Sequence, residues 1–222
     1  MQYATPAIDQ WQKDVLAEKT VKSLQKNQFD AVYCPTRDEA VKYIQDMVGD
    51  GTTVGFGGSM TAVELNLVER LEEKGAEILN KEMVTPEPNS LNPDVMIPMI
   101  RKLFCSNLYI ASANAITLKG HILNIDGVGN RVATITIGPD KVVLVVGVNK
   151  ITRNLDEAYN RMETVACPKN VKRYNLPNPC TKTGYCMDCN TPTRACRIYH
   201  IMKFKPMLTD ITVIIVGERL GY

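Results

Sequence analysis

Apolar residues recur along this chain with two periods, and where the period switches marks out its elements. From about Pro6 to Asn27 the sequence is polar, with Ile8, Trp11, Val15 and Leu16 at helical intervals, which predicts an amphipathic helix. Phe29–Cys34 reads as a strand. Thr36 is placed to N-cap the next helix, with Glu39 three residues on completing a capping box, and that helix is expected to run to about Val48. Asp50-Gly51 turns the chain into a strand over Thr52–Phe56. Gly57-Gly58-Ser59 then leads into a long helix expected from Met60 to Lys74, stopped by Gly75. The order α-β-α-β-α is the alternation of a parallel sheet covered by helices.

Farther on, Lys81–Pro98 carries Pro86, Pro88, Pro93 and Pro98 and reads as an ordered excursion, with a helix resuming near Asn92–Phe104. Leu108–Ala111, Ile122–Ile125 and Lys141–Val146 are expected strands. Gly129–Ile137 is ambiguous: its β-branched composition favours a strand, its place between two strands a crossover helix. Asp156–Glu163 looks helical, prolines and turn residues dominate Pro168–Pro192, and Ile198–Met202 and Asp210–Val216 add strands. The expected organisation is one α/β domain over residues 1–166. Residues 167–222 form a cysteine-rich loop and a returning β-ribbon packed on that domain. There is no internal repeat.

Composition narrows the function classes. Twenty-six basic and 24 acidic residues are mixed along 222 positions for a net charge of +2, with no basic stripe for nucleic acid and no polybasic membrane patch. The most apolar runs, Val142–Val148 and Ile211–Val216, are too short to span a bilayer and suit buried strands. The first residues lack a basic region followed by an apolar one, so the expected location is the cytoplasm. Seven cysteines in a reducing compartment point to metal ligation before disulfides.

Four of those cysteines, Cys180, Cys186, Cys189 and Cys196, are spaced C-x5-C-x2-C-x6-C on a segment rich in Pro, Gly and Thr. Such a segment has little value as core, whereas four thiolates complete the shell of a zinc ion or an iron–sulfur cluster. Structural zinc more often shows two C-x2-C pairs, and Arg194 and Arg197 would offset the charge of a thiolate-bound cluster, so a 4Fe-4S cluster is favoured over zinc. Cys34, Cys105 and Cys167 are isolated and read as inert thiols. His121 and His200 read as surface or packing residues, with His200 a minor candidate for the cluster.

A second set of polar residues falls at strand ends, where open parallel sheets bind ligands. Gly57, Gly58, Ser59 and Thr61 lie between a strand and a helix. They make either a capped turn or an anion-binding loop, and the loop lacks the Lys of a P-loop. Ser112 and Asn114 follow another strand. Asn124, Asp126, Asn130 and Arg131 gather around two glycines, and Asn149-Lys150 ends a very apolar strand. Each signal is weak alone; their shared topology points to a cleft for a small anionic metabolite. Asp126 is the candidate general base there, with Lys150 or Arg131 as electrostatic stabiliser.

With G55-F-G-G-S-M-T61, A111-S-A-N-A-I-T117, N124-I-D-G-V-G-N-R131 and V145-V-G-V-N-K-I151 assembled, the chain resembles the LUD-domain family, named for lactate utilisation, from about residue 10 onward. The resemblance implies a fold similar to ribose-5-phosphate isomerase, glucosamine-6-phosphate deaminase and CoA transferases. That fold is a three-layer α/β/α with a mainly parallel sheet, and it makes Gly129–Ile137 a helix. It also implies a role connected with oxidation of lactate or a related hydroxy acid, alongside iron–sulfur subunits. The four-cysteine tail departs from the shorter relatives, and the double cysteine runs of the larger iron–sulfur partner are missing.

Three functions remain open on the sequence. One is a redox accessory protein whose cleft holds the metabolite and whose cysteines carry the cluster. The second is a non-redox isomerase or transferase acting on a phosphorylated or carboxylated substrate, with structural zinc. The third is a non-catalytic subunit or interaction module. A homo-oligomer is compatible with all three.

Overall fold

A computed structural model describes residues 5–81 and 92–222. Its centre is a six-stranded sheet in which every pairing is parallel. The chain enters through helix α1 (Thr5–Lys26), strand β1 (Asp30–Cys34), α2 (Arg37–Gln45) and β2 (Thr53–Phe56). Two short helices, α3 (Met60–Glu64) and α4 (Leu67–Glu72), lead to β3 (Glu77–Ile78). Then follow α5 (Pro93–Leu103), β4 (Leu108–Ala111), β5 (Ala115–Thr117), β6 (Ile122–Asp126), α6 (Asn130–Thr136) and β7 (Lys141–Gly147). A 3-10 turn at Val148–Lys150 joins β8 (Ile151–Thr152), and α7 (Leu155–Arg161) runs through a π-turn, Met162–Ala166, into α8 (Cys167–Arg173). The last elements are α9 (Cys180–Thr183), β9 (Ile198–Met202) and β10 (Ile211–Val216).

The main sheet has the order β1-β10-β7-β4-β2-β3, and a second sheet the order β8-β5-β6-β9. Strand alternation builds two cores. Ile211, Val213 and Ile215 face the same core as Val142, Leu144 and Val146, which α1 covers with Ala17, Val21 and Leu24. Ile214, Val216, Val143 and Val145 face the other, covered by Ala40 and Ile44 of α2 and Leu67 and Leu71 of α4. Strands buried on both faces read as unbroken apolar runs, which is why β7 and β10 stand out in the sequence. The expected three-layer α/β/α architecture is what the chain forms. Among the described residues no helix is long and apolar enough to cross a membrane.

Several local expectations are corrected. The Met60–Lys74 helix is broken at Asn66, whose φ of 52° is left-handed, so α3 and α4 are separate. The Thr36 cap holds, with Glu39 N–H donating to its hydroxyl at 3.3 Å, but α2 ends at Gln45. Ile8, Trp11 and Val15 of α1 are exposed, and the buried stripe is Ala17, Thr20, Val21 and Leu24. The reason is length: 22 helical residues extend about 33 Å, whereas a six-residue strand spans about 20 Å. Only the second half of α1 lies over the sheet.

Gly129–Ile137 contains helix α6, as the resemblance implied. Helix continues past Pro168 to Arg173, so the 166/167 boundary falls inside a continuous helical run. The two returning strands are both present, but they join different sheets: β9 pairs antiparallel with β6, and β10 inserts between β1 and β7. Residues 82–91, with Pro86 and Pro88 of the excursion, lie outside the described residues.

Candidate functional site

The carboxyl ends of β2, β4 and β7 converge on a buried amine. Lys150, 3% exposed, donates from Nζ to Thr61 Oγ1 and Ser112 Oγ, both at 3.0 Å. Ser112 Oγ in turn donates to the Val145 carbonyl at 2.6 Å. No carboxylate among the described residues pairs with the amine. Burial first, then the positive charges of Arg161 and Arg131, push Lys150 down to about 7. Gly221 packs on this cluster at φ 56°, and a Cβ there would lie 2.7 Å from Thr61 Oγ1 and 3.2 Å from Lys150 Nζ. Ser59 caps α3 by accepting from Ala62 N–H at 3.3 Å, while Gly58 and Ser59 together reach the cavity described below. At Gly57 a Cβ would press on the Tyr109 hydroxyl and Arg131, at 3.0 and 3.1 Å.

The motif after β6 is bound up in holding its own shape. Asp126 accepts from Val128 N–H at 3.0 Å, Gly129 N–H at 2.8 Å and Val132 N–H at 3.3 Å, with Arg131 Nε 3.8 Å away. It therefore anchors the start of α6. Arg131 donates to the Ser112 carbonyl and Asn114 Oδ1, both at 3.2 Å, and also to Asn124 Oδ1 and the Ile125 carbonyl. Asn114 Oδ1 also accepts from Ile125 N–H at 2.8 Å. Asn149 accepts from Leu220 N–H at 3.0 Å and donates to the Gly221 carbonyl at 3.3 Å, fixing the last residues over Lys150.

Above these strand ends lies a cavity of about 380 Å³. One side is formed by Ser112, Asn114, Asp126, Asn130, Arg131 and Lys150. Cys167, Asn170 and Arg173 of α8, with Arg194 and Arg197, form the other. Gly57, Thr61, Asn124 and Asn149 stand behind the lining.

Tyr222 also lines the cavity, and its hydroxyl and Arg173 Nε are buried without a hydrogen-bond partner among the described residues. Arg173 donates from Nη2 to the Tyr174 hydroxyl at 2.9 Å, and its guanidinium lies 4.6 Å from that ring's centroid, while Nε has no acceptor among the described residues. Two orphaned donors on one wall are what an acceptor-bearing ligand satisfies. Neither was visible in the sequence: Arg173 sits in a run that reads as loop, and Tyr222 carries no motif.

The cysteine segment supplies part of this wall. Arg197 N–H donates to the Asp126 carbonyl at 3.0 Å, and a Cβ at Gly127 would lie 2.9 Å from the Ala195 carbonyl oxygen, so the segment packs directly on the β6 turn. Cys180 and Cys196 are buried, while Cys186 and Cys189 are half-exposed. Asp188 N–H donates to Cys186 Sγ at 3.4 Å, and Asn178 Nδ2 to Cys189 Sγ at 3.8 Å.

Cys167 is buried as expected but not isolated. It neighbours Cys196, and the two belong to one apolar cluster with Leu123 and Met162. The interaction of the two thiols, with Arg194 nearby, draws Cys196 below the usual thiol range and raises Cys167. Sulfur ligands with N–H donors are the chemistry of a thiolate-bound metal. Among the described residues, however, no three His, Cys, Asp or Glu side chains converge as a metal site. The donor set suits a thiolate-bound metal, while the four thiols do not stand as a closed coordination shell. Of the remaining candidates, Cys34 is buried and Cys105 exposed. His200 Nε2 bonds the Thr136 hydroxyl at 3.1 Å and is a packing residue.

Comparison with known proteins agrees with this architecture. The crystal structure of a DUF162 family protein from Deinococcus radiodurans superposes with a TM-score of 0.52 at 11% identity, covering 92% of this chain and 98% of that one. At that identity the likeness is one of fold. None of the curated proteins matches the chain. The sequence matches the LUD domain over residues 17–216, which takes in the main sheet, every cavity-lining residue except Tyr222, and all four cysteines of the tail. This chain belongs to the LUD-domain family.

Proposed function

We propose that this LUD-domain protein binds a small anionic metabolite, lactate or a related hydroxy acid, in the cavity between its strand ends and its cysteine segment, and serves as a redox accessory in its oxidation. The observation that carries the reading is the shared cavity: Lys150 and Ser112 line one side, and Cys167, Arg173 and Arg194 the other. Arg173 Nε and the Tyr222 hydroxyl are donors awaiting an acceptor, which a carboxylate supplies with charge-assisted hydrogen bonds. Ser112 and the Lys150 amine, held from behind by Thr61, form a polar floor for the ligand's other oxygen. Asp126 and Arg131 keep the β6 turn in shape against that floor.

In this reading Cys180, Cys186, Cys189 and Cys196 hold a 4Fe-4S cluster, with zinc as the alternative. Such a cluster supplies one-electron transfer when bound. The residues around it contribute N–H donors to sulfur and a positive field from Arg194. Anaerobically purified protein is expected to be brown, with iron and sulfide near four per chain. Stoichiometric zinc without visible absorption overturns the redox role and leaves the non-redox isomerase or transferase reading.

A further inference from the structure

Lys150 has a hydrogen-bonding pattern that suits a neutral amine. Its nitrogen faces two hydroxyl oxygens, Thr61 Oγ1 and Ser112 Oγ, each at 3.0 Å. Ser112 has already committed its proton to the Val145 carbonyl, so its oxygen only accepts from the amine. Two acceptors match the two N–H bonds of –NH2. The third N–H of an ammonium finds no acceptor among the described residues. Glu64, the acid whose charge reaches the amine, accepts instead from Gly221 N–H at 2.8 Å. The guanidiniums of Arg161 and Arg131 oppose a further positive charge nearby. A neutral amine in this setting keeps a lone pair, and the residue is part of the cavity lining.

We propose that Lys150 captures a carbonyl compound as an imine, and that the compound is a small 2-oxo acid. The class follows from the cavity, which pairs an amine nucleophile with donors for a carboxylate, Arg173 Nε and the Tyr222 hydroxyl. The inference rests on the anion-binding reading above and assigns the second functional group of the ligand. In the step, Nζ attacks the carbonyl carbon and the C=O π pair moves to oxygen, giving a carbinolamine. The nitrogen's two protons leave with that oxygen as water while the C=N bond forms, and no electrons are gained or lost. Burial and the neighbouring charges, which bring the amine down to about 7, keep a reactive fraction deprotonated at neutral pH.

The test is reductive trapping on the full chain. The protein is incubated with pyruvate or glyoxylate and cyanoborohydride at neutral pH, and the adduct is mapped by peptide mass spectrometry. One adduct per chain, on Lys150, is expected; it is absent in Lys150→Met and suppressed in the wild type by excess lactate, which carries the carboxylate without the carbonyl. The lactate competition keeps the test decisive if the variant folds poorly. Binding of both acids by thermal shift without a trapped adduct overturns the imine and leaves the anion site standing. Adducts scattered over surface lysines also overturn the imine. Absence of any binding by either acid overturns both.

Discussion

The two walls of the cavity differ in where they leave buried donors for a ligand. On the strand-end side, Asp126, Arg131, Asn114 and Asn149 have their hydrogen bonds taken up by backbone and by one another. On the helical side, Arg173 keeps a buried donor without a partner among the described residues, and so does Tyr222. A dense polar motif at a strand end therefore builds the shape of the site. The donors left for a ligand come from segments that look plain in the sequence. Lys150 stands between the two cases, bonded to hydroxyls but to no charge.

Removing a residue from the bonded wall should damage folding more than binding. Arg131→Met leaves the Ser112 and Ile125 carbonyls and two side-chain amides short of a donor, and is expected to lower stability by about 3–5 kcal/mol, read from the denaturant midpoint. An Arg131→Met variant as stable as wild type would break the comparison.

Lys150 gives a pH signature. Its value in the unfolded chain is near 10.5 and in the folded chain about 7, so the unfolded state binds more protons between these values. Its contribution to stability should rise from about pH 7 to about pH 10.5, with the full penalty present below 7. The rise amounts to roughly 5 kcal/mol. The difference between wild type and Lys150→Met, followed by denaturation across that window, isolates it.

The open wall should behave the other way. Arg173→Met is expected to weaken binding of a small carboxylate about 10- to 100-fold. Thermal stability should change little, because Arg173 makes one side-chain hydrogen bond and one ring contact. Calorimetric titration beside a thermal melt separates the two effects. Gly221→Ala sharpens the junction between the walls. Its positive φ and the 2.7 Å approach to Thr61 Oγ1 predict a loss of about 1–2 kcal/mol in the thermal melt. At the small end, Trp11→Ser on the exposed face of α1 is expected to stay within about 0.5 kcal/mol.

The same contrast explains what the sequence could reveal. β7 and β10 were legible because strands buried on both faces leave unbroken apolar runs. Gly57, Ser112 and Lys150 were legible because glycine, small and polar residues at successive strand ends are local signals with a shared topology. The break at Asn66 was hidden, since nothing but its left-handed backbone interrupts a good helical pattern. The stripe of Ile8, Trp11 and Val15 misled because apolar periodicity does not tell how far the sheet extends beneath a helix. Arg173 and Tyr222 were invisible because their role comes from packing elements distant in the chain. Cys167 looked isolated for the same reason, although the fold sets it against Cys196.

Hydrogen–deuterium exchange on the full chain, with and without saturating pyruvate, tests most directly whether strand ends and cysteine segment form one site. The account predicts slowed exchange in residues 58–60 and 112–114 together with residues 166–174 and 192–197, which lie along the two walls. Protection confined to the strand-end peptides, with the cysteine-bearing wall unchanged, would contradict it.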